Sequence, residues 1–140
     1  MLKRERVLVF AETRRHSNEL RQGTGVQDLG TVGADVTFPV PDRIGDVVLH
    51  GDVYAQTHTF FSSAEGTITP GTRLKGYEVA NMRLSWNNVL RSKFSVAVYA
   101  KNLFNKFYYA SGYALGAAGG YNTAYPGAPR TVAGELSVRF

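Results

Sequence analysis

Residues 130–140, the end of the chain, alternate between apolar and polar side chains and finish on a phenylalanine. Because successive side chains of a β-strand point to opposite faces, residues two apart share a face. The opposite face carries Glu135 and Arg139. The uncharged face holds Val132, Gly134, Leu136, Val138 and Phe140. This pattern predicts a C-terminal strand that inserts into a membrane.

Four earlier segments repeat the alternation, at residues 31–40, 47–56, 79–86 and 94–101. Each sets a face without Asp, Glu, Lys or Arg against a face that carries at least one of them. A charge on the lipid side at mid-bilayer costs roughly 2–4 kcal/mol, so a lipid-facing surface has to lack charges there. The pattern predicts an all-β fold, an antiparallel meander of about five long transmembrane-type strands. A soluble β-sandwich would show the same alternation.

The lengths of the connections separate these two alternatives. Pro41–Gly45 and Asn87–Ser92 are short, whereas His58–Gly76 and Asn105–Pro129 are long. Outer-membrane barrels have short periplasmic turns and longer extracellular loops. Long connections are uncommon in compact soluble domains unless they are functional. The connections therefore favour a membrane sheet.

This orientation makes two further predictions. If the short turns are periplasmic, Trp86 and Phe140 lie at the same interface, where aromatic residues form a girdle. The polar faces then line the lumen, and their charges are predicted to pair across strands, with contact to a plug domain as the alternative. These charges are Asp35, Asp52, Arg83, Lys101, Glu135 and Arg139.

Composition and motifs exclude other classes. No run approaches the roughly 18 apolar residues of a helical membrane span, and the chain has no cysteine for disulfides or thiolate metal sites. The net charge of +5 comes with no motif that reads nucleic acid, so no nucleic-acid partner is expected. No catalytic relay, P-loop or dinucleotide fingerprint is present. We therefore expect no enzyme, no catalytic residue and no cofactor.

The start of the chain differs from the rest. Val7–Phe10 could open a strand, and Ala11–Gln22 is helix-permissive, with Gly23 as a helix stop. Residues 1–25 are therefore predicted to be a separate polar segment, helix or coil, and residues 26–140 to form the strands. The apolar run at Val7–Ala11 is shorter than a signal-peptide core, so no signal peptide is readable.

The segment Val98–Tyr109, VYAKNLFNKFYY, resembles the C-terminal end of TonB-dependent outer-membrane receptors, whose penultimate strand ends in a similar KNLFNKFY segment. A Gly- and Tyr-rich loop follows, and then Gly127–Thr131 resembles the family's approach to a last strand with an aromatic end. Tyr77–Trp86 is similar to the strand two before the end. The resemblance spans roughly residues 30–140 and is most specific over 98–140.

The resemblance implies the last five strands, unclosed, of a 22-stranded barrel in the Gram-negative outer membrane. Such receptors take up a scarce ligand, such as a siderophore-metal chelate, with energy supplied through TonB. The implied partners are outer-membrane lipid, the missing N-terminal barrel strands and plug domain, and TonB, which acts only through that absent part. We therefore expect a fragment, an incomplete gene product or a truncated remnant of a larger receptor.

Two other functions stay open at this point. A small autonomous or oligomeric outer-membrane β-barrel would have a structural or pore role. A soluble β-sheet domain would bind a hydrophobic ligand and fold in plain buffer.

Tyrosines in the loop 105–129 are the candidate ligand-binding residues, because aromatic faces among flexible glycines suit contact with an extracellular ligand. An aromatic girdle with a disordered tip is the alternative. The candidates are Tyr108, Tyr109, Tyr113, Tyr121 and Tyr125.

A metal site is not expected. His50, Asp52 and His58 share one parity, but two residues along a strand span about 7 Å, which is too far for two side chains to chelate one ion without neighbours. Polar lining of the barrel is the preferred interpretation of these three residues.

Overall fold

The computed structural model describes residues 6–15, 25–26, 28–61 and 71–140, and this part of the chain is almost entirely β-structure. A 3-10 turn, Val89–Arg91, and a four-residue helix α1, Gly116–Gly119, are its helical elements. No helix in the described ranges is long and apolar enough to cross a membrane. The strands are β1 (Arg6–Arg15), β2 (Gly25–Val26), β3 (Asp28–Thr37), β4 (Asp46–Gln56), β5 (Thr59–Phe60), β6 (Arg73–Leu74), β7 (Tyr77–Asn87), β8 (Phe94–Lys101), β9 (Tyr109–Ala114), β10 (Asn122–Pro126) and β11 (Thr131–Val138).

Six long strands form one antiparallel sheet in the order β1-β3-β4-β7-β8-β11. Neighbours in this sheet follow one another along the chain apart from short strands in the connections, so the sheet is a meander. It is not closed, because β1 and β11 lie at opposite edges and do not pair with each other. The predicted all-β, antiparallel and unclosed fold is confirmed, and the five predicted strands correspond to β3, β4, β7, β8 and β11.

The sixth strand, β1, corrects the prediction of helix or coil for residues 1–25. It pairs antiparallel with β3 from Arg6 opposite Thr37 to Arg15 opposite Asp28. Pairing with β3 along ten residues outweighs the helix propensity of this segment, because propensity is a weak preference that tertiary contacts override. Residues 1–5 and 16–24, including Gly23, lie outside the described residues. The division of the chain at residue 25 stays a prediction.

The register of the sheet brings the uncharged faces of the strands together. One row across all six strands contains Val7, Val36, Leu49, Leu84, Val98 and Gly134. Several of the large side chains on this face are exposed, including Val98 at 56% and Leu136 at 67%. The sheet therefore presents an apolar face that no described part of the chain covers.

The segment Val7–Phe10 of β1 differs from the other strands because it is apolar on both faces. Leu8 and Phe10 lie on the side that is polar elsewhere, and both are exposed. The Phe10 ring stacks on the His50 ring at a centroid distance of 5.8 Å. It also lies over Gly33, where a Cβ would meet the ring.

Short connections lie at one end of the sheet and long ones at the other. Residues 38–45 and 88–93 form the short connections. Gly45 has φ +109 and lies so close to the Asn87 and Asn88 carbonyls that no side chain fits there. Trp86 donates a hydrogen bond from Nε1 to the Ile44 carbonyl, 2.8 Å away, at this end. The backbone of Arg139 bonds Lys93, which brings Phe140 to the same end, as predicted for the two aromatic residues.

The connections at the opposite end carry small sheets of their own. The strands β2, β5 and β6 form one three-stranded sheet, and β9 and β10 form a hairpin. The hairpin occupies most of the connection 105–129, whose glycines were predicted to be flexible. We call these two small sheets, formed by β2, β5 and β6 and by β9 and β10, the loop cluster.

Buried apolar residues are few. In the described part of the chain only Leu74 and Ala97 are buried hydrophobic residues, and Thr72 and Asn102 are buried polar ones. A soluble domain of this length buries roughly two thirds of the surface of its unfolded chain. The described sheet has no such core, and its described contacts are the backbone ladders between strands and side-chain pairs across them.

Candidate functional site

The polar face of the sheet carries a chain of hydrogen bonds across three strands. His50 Nδ1 lies 2.7 Å from Asp35 Oδ1, and His50 Nε2 lies 3.5 Å from Asp52 Oδ1. Asn81 then donates from Nδ2 to Asp52 Oδ2 at 2.8 Å. The predicted separation of about 7 Å applies to the backbones of His50 and Asp52. Their side chains lean towards each other along the strand, so His50 Nε2 and Asp52 Oδ1 are only 3.5 Å apart.

The other charges of this face are partly paired. Arg83 donates from Nη1 and Nη2 to Glu135 Oε2, both at 3.1 Å, and its guanidinium lies 5.9 Å from the centre of the Tyr99 ring. The predicted pairing across strands is thus confirmed for Arg83 and Glu135, whereas Asp35 pairs with His50, which was not among the predicted charges. The Arg83 and Glu135 side chains are more than a third exposed, so the pair stabilises the sheet by at most about 1 kcal/mol.

Within the described ranges there is no group of three or more His, Cys, Asp or Glu side chains that could hold a metal ion. His58 lies beyond the end of β4 and packs edge-on against Phe60 at 5.3 Å, so it does not join His50.

Asn102 connects the sheet to the loop cluster. It directly follows β8, is 5% exposed and has a left-handed backbone conformation with φ 50. Its backbone N–H donates to Asn81 Oδ1 at 3.1 Å, which extends the chain of hydrogen bonds on the polar face. Its Nδ2 donates to the carbonyls of Lys106 and Ala128 at 2.9 and 3.0 Å, and its Oδ1 accepts from Lys106 N at 2.8 Å. We call this arrangement the Asn102 clasp.

The clasp joins the start of the connection 102–130 to its end. Asn105 Oδ1 accepts from Arg130 N at 3.0 Å, and Gly127 N donates to the Tyr108 carbonyl at 2.8 Å. The Tyr108 ring packs so closely on Gly127 that a Cβ there would overlap it. The segments 98–109 and 127–131 are therefore hydrogen-bonded to each other.

Beside the clasp, aromatic rings stack where the sheet meets the loop cluster. The Tyr77 and Tyr108 rings are stacked with centroids 4.0 Å apart, and the Tyr54 ring lies 6.0 Å from that of Tyr77. Offset and tilted pairs at these distances stabilise by about 0.5–1.5 kcal/mol beyond the area they bury. The stack fixes the Tyr108 side chain.

A cavity of about 580 Å³ opens next to this stack, between the two small sheets. Its volume is in the range of pockets that bind small molecules. Three cationic residues line it, Arg73, Lys75 and Lys106, and no Asp or Glu does among the described residues. Aromatic side chains provide much of the remaining wall, namely Phe61, Tyr77, Phe107, Tyr108 and Tyr109. We call it the loop pocket.

Asn122 is in the wall of the loop pocket and has a buried acceptor without a partner. Its Nδ2 donates to the Gly71 carbonyl at 2.9 Å, while its Oδ1 is buried without a partner in the described structure. Leaving a buried acceptor without a hydrogen bond costs about 1–3 kcal/mol.

The structure separates the predicted ligand-binding tyrosines into two groups. Tyr108 and Tyr109 line the loop pocket, whereas Tyr113, Tyr121 and Tyr125 do not and are more than half exposed. The sequence did not predict the cations of the pocket or Asn122, because these residues are far apart from one another in the sequence and no local pattern connects them. The predicted insertion strand is β11, whose Val132, Leu136 and Val138 are exposed on the apolar face together with Phe140 beyond it.

Comparison with known proteins gives no further identification. No protein-family model matches the chain, and no curated protein sequence matches it.

Proposed function

We propose that this chain forms the C-terminal strands of a TonB-dependent receptor in the Gram-negative outer membrane, which imports a scarce ligand such as a siderophore-metal chelate. The observation that carries the proposal is the difference between the two faces of the main sheet. One face is mostly apolar and exposed on all six strands, with Glu78 as a charge at its loop end, and the other carries His50, Asp52, Arg83 and Glu135. Lipid would cover the first face and water the second.

The small number of buried residues supports a membrane setting. An uncovered apolar side chain such as Val98 gains roughly 25 cal/mol for each Å² of surface that leaves water. Acyl chains would cover the apolar face without requiring a second layer of protein. A β-sandwich would need a second sheet on that face, and the described strands do not include one.

The two free edges support a larger barrel. Backbone groups at the edges of β1 and β11 would each cost several kcal/mol if they stayed unpaired in lipid. Further strands beside β1 and β11 would pair these groups and close the sheet. In the proposal those strands, with a plug domain, belong to the same receptor.

The connections give the proposed orientation. The short turns at residues 38–45 and 88–93 would be periplasmic, and the loop cluster would face outside. The loop pocket would then lie where an incoming ligand first meets the receptor. No chemistry is assigned to the chain, and energy for import would reach the barrel through TonB.

A second candidate, an oligomeric barrel, is favoured by the number of strands in the sheet. Because the sheet has six antiparallel strands, β1 and β11 run in opposite directions. A second copy could therefore place its β1 beside β11 and extend the same antiparallel pattern, as outer-membrane barrels require.

Site-specific labelling in lipid vesicles tests the proposed membrane placement. The chain has no cysteine, so single cysteines can be introduced without other changes. A fluorophore on Val98→Cys or Leu136→Cys should be quenched by bromine on the lipid acyl chains. The same fluorophore on the matched variants Ser85→Cys and Tyr99→Cys should be quenched by aqueous iodide instead. Equal quenching of all four by iodide alone would refute the membrane placement.

A double-cysteine variant distinguishes the two candidates. Val9→Cys with Val132→Cys places one thiol on each edge strand. Disulfide-linked oligomers in vesicles would favour the oligomeric barrel. A chain that stays monomeric at all protein-to-lipid ratios would favour strands supplied by a larger receptor.

A further inference from the structure

The two short turns at one end of the sheet are joined at their tips. Each turn is closed by a backbone hydrogen bond of 2.9 Å, and Leu90 N donates to the Ile44 carbonyl of the other turn at 3.0 Å. The side chains of Arg43, Leu90 and Arg91 are exposed at these tips, and we call the three residues the turn-tip surface. We infer that the turn-tip surface binds the phosphate headgroup of an anionic phospholipid.

The backbone of the turn-tip surface is strained. Leu90 and Arg91 have left-handed conformations, with φ 50 and φ 63. This conformation is unfavourable for residues with a Cβ, and glycine or asparagine is the usual choice there. Leu90 is nevertheless 68% exposed, so burial of its side chain does not offset the strain. Strained residues of this kind cluster at binding sites, where their side chains serve a function.

The turn-tip surface lies next to the aromatic residues at this end of the apolar face. Trp86 Nε1 donates to the Ile44 carbonyl at 2.8 Å, the same carbonyl that accepts from Leu90 N. Phe94 and Phe140 are exposed on the same face. In the proposed membrane placement, aromatic rings lie at the level of the lipid headgroups. The turn tips beyond them would then lie among the phosphates.

Arg43 and Arg91 would provide the preference for an anionic headgroup. Guanidinium groups donate pairs of N–H groups to phosphate oxygens. A zwitterionic headgroup also carries an ammonium group, which a second guanidinium repels, whereas phosphatidylglycerol has none. Asp42 lies at the same tip and already has an interaction within the chain. The tip therefore has one positive charge in excess, which corresponds to roughly a fivefold preference at a membrane surface.

Lys93 and Arg139 form a matched control pair at the same end of the sheet. Arg139 N donates to the Lys93 carbonyl at 3.0 Å, which continues the pairing of β8 with β11. Each residue is next to a member of the apolar face, Phe94 or Val138, so it belongs to the polar face. In the proposed placement these two cations face water rather than lipid.

The inference rests on the proposed membrane placement, and one experiment separates the two. Trp86 is the chain's one tryptophan and lies beside the turn-tip surface, so its fluorescence reports on nearby lipid. The full chain is refolded into phosphatidylcholine vesicles that contain acyl-brominated phosphatidylcholine or acyl-brominated phosphatidylglycerol. Quenching by neither lipid would refute the placement and the inference together. Equal quenching by both would refute only the inference.

Charge variants connect the lipid preference to the turn tips. Phosphatidylglycerol should quench Trp86 at about fivefold lower concentration than phosphatidylcholine. In the double variant Arg43→Gln and Arg91→Gln, the ratio should fall to about one or below, because Asp42 is then the remaining charge at the tip. The control variant Lys93→Gln and Arg139→Gln removes the same charge and should keep the ratio. An equal loss in both variants would overturn the inference and assign the preference to overall charge.

Added salts distinguish a lipid headgroup from free phosphate. The preference for phosphatidylglycerol should weaken in sodium chloride, because exposed charges are screened. Sodium phosphate at the same ionic strength should weaken it to the same extent. A larger loss in sodium phosphate would assign the turn-tip surface to the free anion and overturn the inference.

A labelled cysteine tests the apolar part of the surface. A fluorophore on Leu90→Cys should be quenched more by brominated phosphatidylglycerol, and less by aqueous iodide, than the same fluorophore on Lys93→Cys. Far-UV circular dichroism checks that each variant keeps its strands. Equal access of iodide to the two labels in folded variants would exclude Leu90 from the lipid interface.

Discussion

Replacing Asn102 with glycine should destabilise the chain far more than the same replacement at Asn105. Both residues have left-handed backbones, with φ 50 and φ 53, so glycine is accepted equally well at the two positions. Asn102 is 5% exposed and its side chain makes three hydrogen bonds, to Lys106 N, Lys106 O and Ala128 O. Asn105 is exposed, and its side chain accepts one, from Arg130 N.

The expected difference follows from these counts. A hydrogen bond contributes about 0.5–1.5 kcal/mol net, so Asn102→Gly should lower the free energy of unfolding by about 1.5–4.5 kcal/mol and Asn105→Gly by about 0.5–1.5 kcal/mol. With a urea dependence of about 1–3 kcal/mol per molar, a 2 kcal/mol difference separates the two midpoints by roughly 1 M. Asn102→Ala should be lower again by about 1–2 kcal/mol, because alanine resists the left-handed conformation.

Urea unfolding of the chain refolded in detergent measures these differences. Trp86 is the chain's one tryptophan and lies at the short-turn end, so its fluorescence reports on the sheet rather than on the clasp itself. Coincident midpoints for Asn102→Gly and Asn105→Gly would refute the view that the clasp stabilises the sheet. Indistinguishable alanine and glycine variants at 102 would refute the backbone part of the reasoning.

Three further variants test other parts of the structure. Val98→Arg should lower the stability of the chain in lipid vesicles by about 2–4 kcal/mol, whereas Tyr99→Arg, on the opposite face, should cost much less; equal losses in urea titrations would contradict a lipid-facing surface. Gly127→Ala should lower the unfolding midpoint, because a Cβ there overlaps the Tyr108 ring packed on it. An unchanged midpoint in urea titrations would show that the Tyr108 ring can move. A double-mutant cycle of Arg83→Gln and Glu135→Gln should give a coupling of at most about 1 kcal/mol, and a value above 2 would mean that the pair is better shielded from water than its exposure indicates.

The sequence predicted the long strands well because their signal is local. Alternation with period two is readable within each segment, and the short turns limit each strand without reference to its neighbours. The assignment of faces also followed, because the register places uncharged residues such as Leu84 and Val98 side by side. A period-two pattern therefore specifies the main sheet almost completely.

The features that the sequence did not predict depend on distant residues. The strand β1 has an apolar run, Val7–Phe10, instead of alternation, and its place in the sheet is set by pairing with β3. The loop pocket needs β6, the clasp and β10 to lie together. The clasp likewise depends on residues apart in the sequence, because Asn102 and Asn105 bond the backbone of Lys106, Ala128 and Arg130.

The composition of β1 has a consequence for the chain in water. Its segment Val7–Phe10 is apolar on both faces, exposed and placed at an edge where no other described strand pairs with it. Edges of this kind recruit strands from other molecules and lead to aggregation. Before it reaches a membrane or a partner strand, the chain would therefore need β1 to be shielded by a chaperone or by rapid assembly. Overexpression without such protection should yield β-rich aggregates, and the substitution Leu8→Lys should reduce the amount of aggregate.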